Sequence, residues 1–563
     1  MAKISEKKIE AYALENAIKH DGKANQSAVL AGLFSEGLEK SEIKTIIPLI
    51  QKTLQKINSI SIEKQQKEFE KIKNKISKRE IRVGLPELEN AKPGEVVMRF
   101  APFPSGPIHL GNTRQLILND EYVKKYNGKL ILVMDDTIGS EKKPVLTEAY
   151  KLIEEGVKWL ECNYDKKIIY KSDRIELYYK YAEELIKRGY LYICNCPIET
   201  IHKNKEEQKE CNCRNLYTAE QEKRWKSMFT SKEGTYCARL KTSMQDPDPA
   251  FRDRIMFRIS KRPHPRLKNK YQVYPLLDFS WAVDDHLLGI THIIRGMDLV
   301  MESKVEKFIW DIFNWPHPEI IHTGFFQIEG VKISKSKGAQ EVKTGEYIGW
   351  NDPRLWSLQS LKDRGIQPQT IREFIISQGI KKSNTTVPID ILYSINKKLI
   401  ENSPRYFFIK NPVQIKINGS PELTAKIPLH PTNKLGEKEH QTTQEFYITK
   451  DDYNNMQDNE NYRLMHLLNF KIHKVSSITP KEFSYTSTEP DKNLKSKLIH
   501  WLPKTPSNVN ITIIMPNGEK VQGIGEEHIK NIKEETIVQF ERFGFAKLKA
   551  KEKNNLEFFF THK

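Results

Sequence analysis

The chain has 563 residues, 38% of them hydrophobic, a formal net charge of +18 and six cysteines. That length predicts several domains, and with no run of about 18 apolar residues no membrane-spanning helix is expected. The charged start, MAKISEKKIEAY, has no apolar secretory core, so a cytoplasmic protein without a disulfide framework is expected. The positive balance suits a polyanionic partner, or a lysine-rich solvated surface alone.

Residues 1–90 read as helical. Apolar residues recur every three or four positions through IEAYALENAI and SEIKTIIPLIQKTLQKI, and Gly22 and Asn25 mark the turn between them. From Ser61 to Arg82 the chain is mostly Lys, Glu and Gln, a solvated helix or helical linker. Leu85-Pro86 and Lys92-Pro93-Gly94 then mark a boundary.

Residues 91–185 read as the first half of an α/β domain. EVVMRFA (Glu95–Ala101) is a predicted strand, and APFPSGPIHLG the loop after it. A predicted helix, Asn112–Tyr126, closes at Asn127-Gly128, and a second strand, KLILVM, ends at Asp135-Asp136. Strand, helix and strand in so short a span form a βαβ unit. Ligands bind beyond the carboxyl ends of such strands, and a helix N-terminus offers N–H groups and a positive dipole end to phosphates.

Residues 186–285 have a different texture and read as an insertion. Cys194-Asn-Cys196 and Cys211-Asn-Cys213 place four thiols in 20 residues, two knuckles suited to a structural Zn²⁺. Free, partly buried thiols are the plainer alternative. Cys162 and Cys237 read as core. Residues 286–345 form the second α/β half, 346–405 a helical region, and 406–563 a β-rich tail. There RYFFI, VQIKI, NITIIM and TIVQF alternate with polar turns in the manner of β-barrels. Tyr406, Phe407, Phe408, Phe540, Phe543 and Phe545 offer either base-stacking rings or core.

The segment from Arg99 to Asn112, RFAPFPSGPIHLGN, resembles the HIGH signature of class I aminoacyl-tRNA synthetases, closest to the glutamyl and glutaminyl branch. Lys332-Ile-Ser-Lys-Ser336, about 220 residues downstream, resembles their mobile KMSKS loop. The helical start, catalytic halves and β-rich end together resemble the archaeal glutamyl type. That resemblance implies a Rossmann-type parallel sheet with an acceptor-binding insertion, an N-terminal helical domain and C-terminal anticodon-binding β-barrels. It also implies ATP and Mg²⁺, with Pro102, Pro104, Ser105, Gly106, His109, Gly111, Asn112, Ser334 and Lys335 at the nucleotide. His109, Asn112, Lys332 and Lys335 would stabilise phosphate charge. Asn112 stands where the family has a second histidine, so it can donate a hydrogen bond but carries no charge.

The resemblance further implies glutamate contacts from Arg99, Asp135, Tyr274 and Arg295. A second cation at Arg295 favours an acidic substrate over glutamine; the alternative is that Arg295 caps a strand or pairs with Asp298. Asp284-Asp285 reads equally as functional or as a helix cap. The expected partner is tRNA-Glu, with tRNA-Gln left open, and the family suggests a monomer. The rival readings are a glutaminyl enzyme and a catalytically weak tRNA-binding paralogue.

Overall fold

The computed structural model describes residues 4–36, 38, 42–76, 84–138, 143–330, 335–473, 481–490, 495–553 and 555–563. The chain divides into two compact units, Met1–Val83 and Gly84–Lys563.

The first unit is helical: Glu6–Lys19, Gln26–Ser35, Ile43–Asn58 and Ile62–Ile72. The expected turn at Gly22 and Asn25 lies between the first two helices, and Asn25 also starts the second. Its side chain accepts from the Ala28 N–H at 2.8 Å and caps Gln26–Ser35. Ile9, Leu14, Val29, Leu33, Ile50 and Ile57 form the core.

In the second unit, β1 (Val97–Phe100), β2 (Lys129–Met134) and β3 (Ile169–Tyr170) form a parallel sheet in the order β1-β2-β3. The chain then builds an antiparallel sheet from β4 (Leu191–Cys194), β5 (Cys237–Leu240), β6 (Ile255–Ile259) and β7 (Val273–Pro275). It returns as the parallel pair β8 (His292–Gly296) and β9 (Glu319–Thr323). The Thr291 N–H donates to the Val97 carbonyl at 2.9 Å, setting β8 beside β1. The split α/β pattern is therefore present, interrupted by the β4–β7 layer.

The sheet is covered on both faces, and alternation along each strand sorts the side chains. Leu130, Leu132 and Met134 enter one core, while Ile131 and Val133 enter the core shared with β4–β7. On β1, Met98 and Phe100 belong to the first core. Arg99 therefore faces the second, toward the helix Leu277–Leu287. Gly128 allows the tight entry into β2: a Cβ there would stand 2.2 Å from the Val96 carbonyl oxygen.

The tail forms two seven-stranded sheets with separate cores. The first takes Arg405–Tyr406 and Phe408–Lys410 and then the strands after residue 508; the second is built from 412–503. The chain crosses between them at Asn411, whose φ of +46° turns it sharply. Tyr406 and Phe408 enter one core and Phe407 the other. Phe540 and Phe545 are buried, and Phe543 packs on the core around Phe540. Five of these six rings are thus core residues, and Phe543 is partly buried against them.

Candidate active site

The loop 101–112 leaves β1 at its carboxyl end and is held from outside. The Leu110 N–H donates to Trp356 O at 3.0 Å, and the Leu358 N–H to Ile108 O at 2.9 Å. Gly106 has φ +150°, and a Cβ there would meet the Trp350 ring at 3.0 Å. A 3₁₀ turn, Leu110–Asn112, leads into the helix Thr113–Lys125, and no side chain caps this start. Ser105 Oγ and Asn112 Oδ1 are buried without hydrogen-bond partners among the described residues.

His109, Gly111 and Asn112 line a cavity with Gly296, Asp298 and residues 324–329. The strand Phe326–Glu329 leads from this wall toward the lysine segment. Lys332 and Ser334 lie outside the described residues. Lys335 begins the helix Lys335–Lys343, but its side chain also lies outside them.

A second cavity of about 270 Å³ adjoins the first and shares Asn112, Gln115, Gly296 and Asp298 with it. Pro102, Arg99, Trp281 and Arg295 line it further. Arg99 and Arg295 stand over the Trp281 ring at 4.5 and 4.8 Å, and Lys171 Nζ at 5.0 Å. Each cation has a buried carboxylate. Arg99 grips Asp285 through Nε and Nη2. Lys171 meets Asp135 Oδ1 at 3.0 Å. Arg295 Nη1 donates to Glu306 at 2.9 Å and to Ser303 Oγ at 3.1 Å. Arg295 Nε and Nη2 are buried with no hydrogen-bond partner among the described residues. Burial pushes Glu306 up to about 7, against the pull of Arg295.

Several expectations change here. Arg295 pairs with Glu306, and with Asp285 at 3.9 Å, so the Asp298 alternative fails. Asp284 and Asp285 cap nothing: both lie inside Leu277–Leu287, Asp284 bound to Arg174 and Tyr178 and Asp285 to Arg99. Tyr274 does not line the cavity. Its position on β7 buries it completely, and its hydroxyl donates to Tyr271 O at 3.1 Å. Asp135 is held by Lys171 and is not among the lining residues either. Trp281, Lys171 and Glu306 were not singled out from sequence. A tryptophan three residues before an Asp pair was the available signal for the first.

The four paired cysteines converge, their sulfurs all within 4.8 Å of one another. Cys194 and Cys211 are 3.8 Å apart, Cys196 and Cys213 3.9 Å. A tetrahedron with Zn–S bonds of about 2.3 Å has edges of about 3.8 Å, so the donor set fits zinc. Cys237 is not remote core: the β4–β5 register sets it opposite Cys194. His440, Glu526 and His528 also converge. There Lys438 Nζ already sits 2.5 Å from Glu526 Oε1, and a buried ammonium disfavours a second cation.

The geometry is that of a strand-to-helix loop abutting a small, charge-lined cavity in a split parallel sheet. Residues 95–402 match the catalytic domain of class I tRNA synthetases (E and Q). Residues 403–486 and 498–549 match the anticodon-binding domains of the same enzymes. The chain belongs to the class I tRNA synthetase family of E and Q type. It is 38% identical to the glutamate–tRNA ligase of Methanocaldococcus jannaschii over 561 residues, 99% of this chain and all of the relative. Those of Pyrococcus furiosus and Pyrococcus abyssi are 40% and 41% identical, each covered to 98% along with 98% of this chain. Among the described residues no helix is long and apolar enough to cross a membrane.

Proposed function

We propose that this protein is a glutamate–tRNA ligase, which activates L-glutamate with ATP and transfers it to tRNA-Glu. The observation that carries the choice of amino acid is Arg295. It is 3% exposed, it lines the smaller cavity, and one edge of its guanidinium has no hydrogen-bond partner among the described residues. A carboxylate satisfies that edge with two charge-assisted hydrogen bonds, whereas the amide of glutamine supplies one oxygen and no charge. Glutamate–tRNA ligases from three archaea, matched end to end, support the same reading.

The glutamate α-carboxylate attacks the α-phosphorus of ATP, forming glutamyl-adenylate and releasing diphosphate. A terminal ribose hydroxyl of tRNA then attacks the acyl carbon, and AMP leaves. Positioning and charge stabilisation suffice for the first step. His109 and Asn112 act from the loop, and Lys332 and Lys335 add positive charge for the phosphates. Mg²⁺ bound with ATP would offset phosphate charge; Asp298 and Glu329 are the carboxylates lining the cavity of His109 and Asn112. The insertion 186–285 receives the acceptor end, the tail reads the anticodon, and four thiolates hold a structural zinc that stiffens the insertion.

Aminoacylation of purified tRNA-Glu and tRNA-Gln with each amino acid tests the reading. Glutamate should be joined to tRNA-Glu, and glutamine to neither; charging with glutamine alone would overturn it. Lys335→Ala should slow diphosphate exchange by about 10²–10³-fold while tRNA binding persists. An unchanged rate removes Lys335 from the mechanism. Folded protein purified without chelator should carry one zinc and Cys211→Ser none; a zinc-free wild type disposes of the metal.

A further inference from the structure

The buried charges around Trp281 balance. Arg99, Lys171 and Arg295 face Asp285, Asp135 and Glu306, and every one of the six is less than a tenth exposed. With all six ionised, an acidic side chain meets no net positive charge, and burying one more anion is costly. A single proton on one carboxylate removes that obstacle, so the question is which one accepts it.

Asp285 holds both donors of Arg99. Asp135 is bound by Lys171, which also donates to Ser280 Oγ at 3.0 Å. Glu306 lies on the helix Val300–Phe313 and does not line the cavity. Its Oε2 is buried and forms no hydrogen bond among the described residues, although it lies 2.9 Å from Arg295 Nη1. Besides Arg295 on β8, the charged groups facing it are Asp285 on Leu277–Leu287 and Arg99 on β1. His322 on β9 reaches the same spot through Ser303 Oγ at 2.9 Å. Burial and the field of Arg295 push His322 below the usual imidazole range.

We propose, resting on the glutamate reading above, that Glu306 is a positioning residue for substrate choice. It occupies Arg295 Nη1, leaves the Nε–Nη2 edge for the substrate carboxylate, and takes up a proton as that carboxylate enters. Arg99 uses the same guanidinium edge on Asp285, which shows how a carboxylate seats there. Burial already pushes Glu306 up to about 7 before any substrate enters. A bound carboxylate on Arg295 raises it further, since like charges disfavour ionisation.

The test is glutamate charging of tRNA-Glu between pH 6 and 8.5 with ATP and tRNA saturating. Both carboxylates of the substrate and its ammonium keep their charge over most of this window. The KM for glutamate of the wild type should rise with pH above about 7, by up to about tenfold per pH unit, the limit for one proton. Glu306→Gln, a fixed mimic of the protonated acid, should flatten that rise while kcat and the KM for ATP hold. Glu306→Asp should keep it. A flat wild-type profile overturns the proposal, even if no variant folds. So does a Glu306→Gln enzyme with the wild-type slope, or one whose kcat and two KM values all shift together. No glutamate charging at any pH would instead sink the glutamate reading, and this inference with it.

Discussion

Two fully buried glutamates sit in ion-paired clusters at opposite ends of the fold's logic. Glu526, in the tail, accepts from Lys438 Nζ and the Phe407 N–H on Oε1, both at 2.5 Å, and from His440 on Oε2 at 3.0 Å. Glu306, behind the smaller cavity, has Arg295 as its one hydrogen-bonding cation among the described residues; its Oε2 lies 2.9 Å from the same Arg295 Nη1 without forming a hydrogen bond. Burial pushes both upward. In Glu526, Lys438 and His440 outweigh it and the carboxyl lies below its ordinary range; in Glu306 burial wins. Structural clusters satisfy their polar atoms internally, whereas a cluster serving a ligand keeps some unsatisfied.

The largest expected effect breaks the satisfied cluster. Glu526→Gln strands a buried ammonium and should cost about 3–5 kcal/mol of stability at pH 7.5 by denaturant melting. A loss under 1 kcal/mol, by the same scale, would mean that the pair is not buried as described. Next, Arg295→Gln removes a charged pair of donors. It should lower kcat/KM for glutamate by about 10²-fold, near 3 kcal/mol, with the KM for ATP held. Equal losses for both substrates would deny Arg295 a part in amino-acid choice.

The pH dependence of stability separates the clusters by sign. Glu526 is depressed in the folded state, so its contribution is present above the unfolded carboxylate value and is lost as pH falls through the folded one. Glu306 is raised, so its contribution is full below the unfolded value and lost as pH rises through about 7. Glu306→Gln should therefore melt at or above the wild-type temperature at pH 8, with that advantage gone at pH 5. A variant that destabilises equally at both would show Glu306 ionised throughout. The smallest effect is Trp281→Phe, which weakens three cation contacts and should cost about 0.5–2 kcal/mol in glutamate affinity. No change in the KM for glutamate would make the ring mere packing.

Much of this was legible along the chain. The strand–loop–helix–strand unit and the four clustered thiols depend on spacing over a few residues, whereas Arg99 and Arg295 were picked out by the family resemblance. What failed depended on register. Tyr274 has the composition of a pocket residue, but β7 pairs it opposite Arg258 and turns it into the core. Cys237 looks solitary until the β4–β5 ladder sets it across from Cys194. Asp285 reads equally as functional or as a cap until Arg99, 186 positions earlier, reaches it from β1.

By itself, then, the sequence determined which chemical groups this protein carries and the order in which it presents them, because strand alternation, loop composition and cysteine spacing act within short stretches of backbone. Tertiary structure alone decided which charge answers which. Partner choice among Arg99, Arg295, Asp285 and Glu306 depends on how separate strands and helices stack. In a buried site that choice sets which polar atoms are left for a ligand.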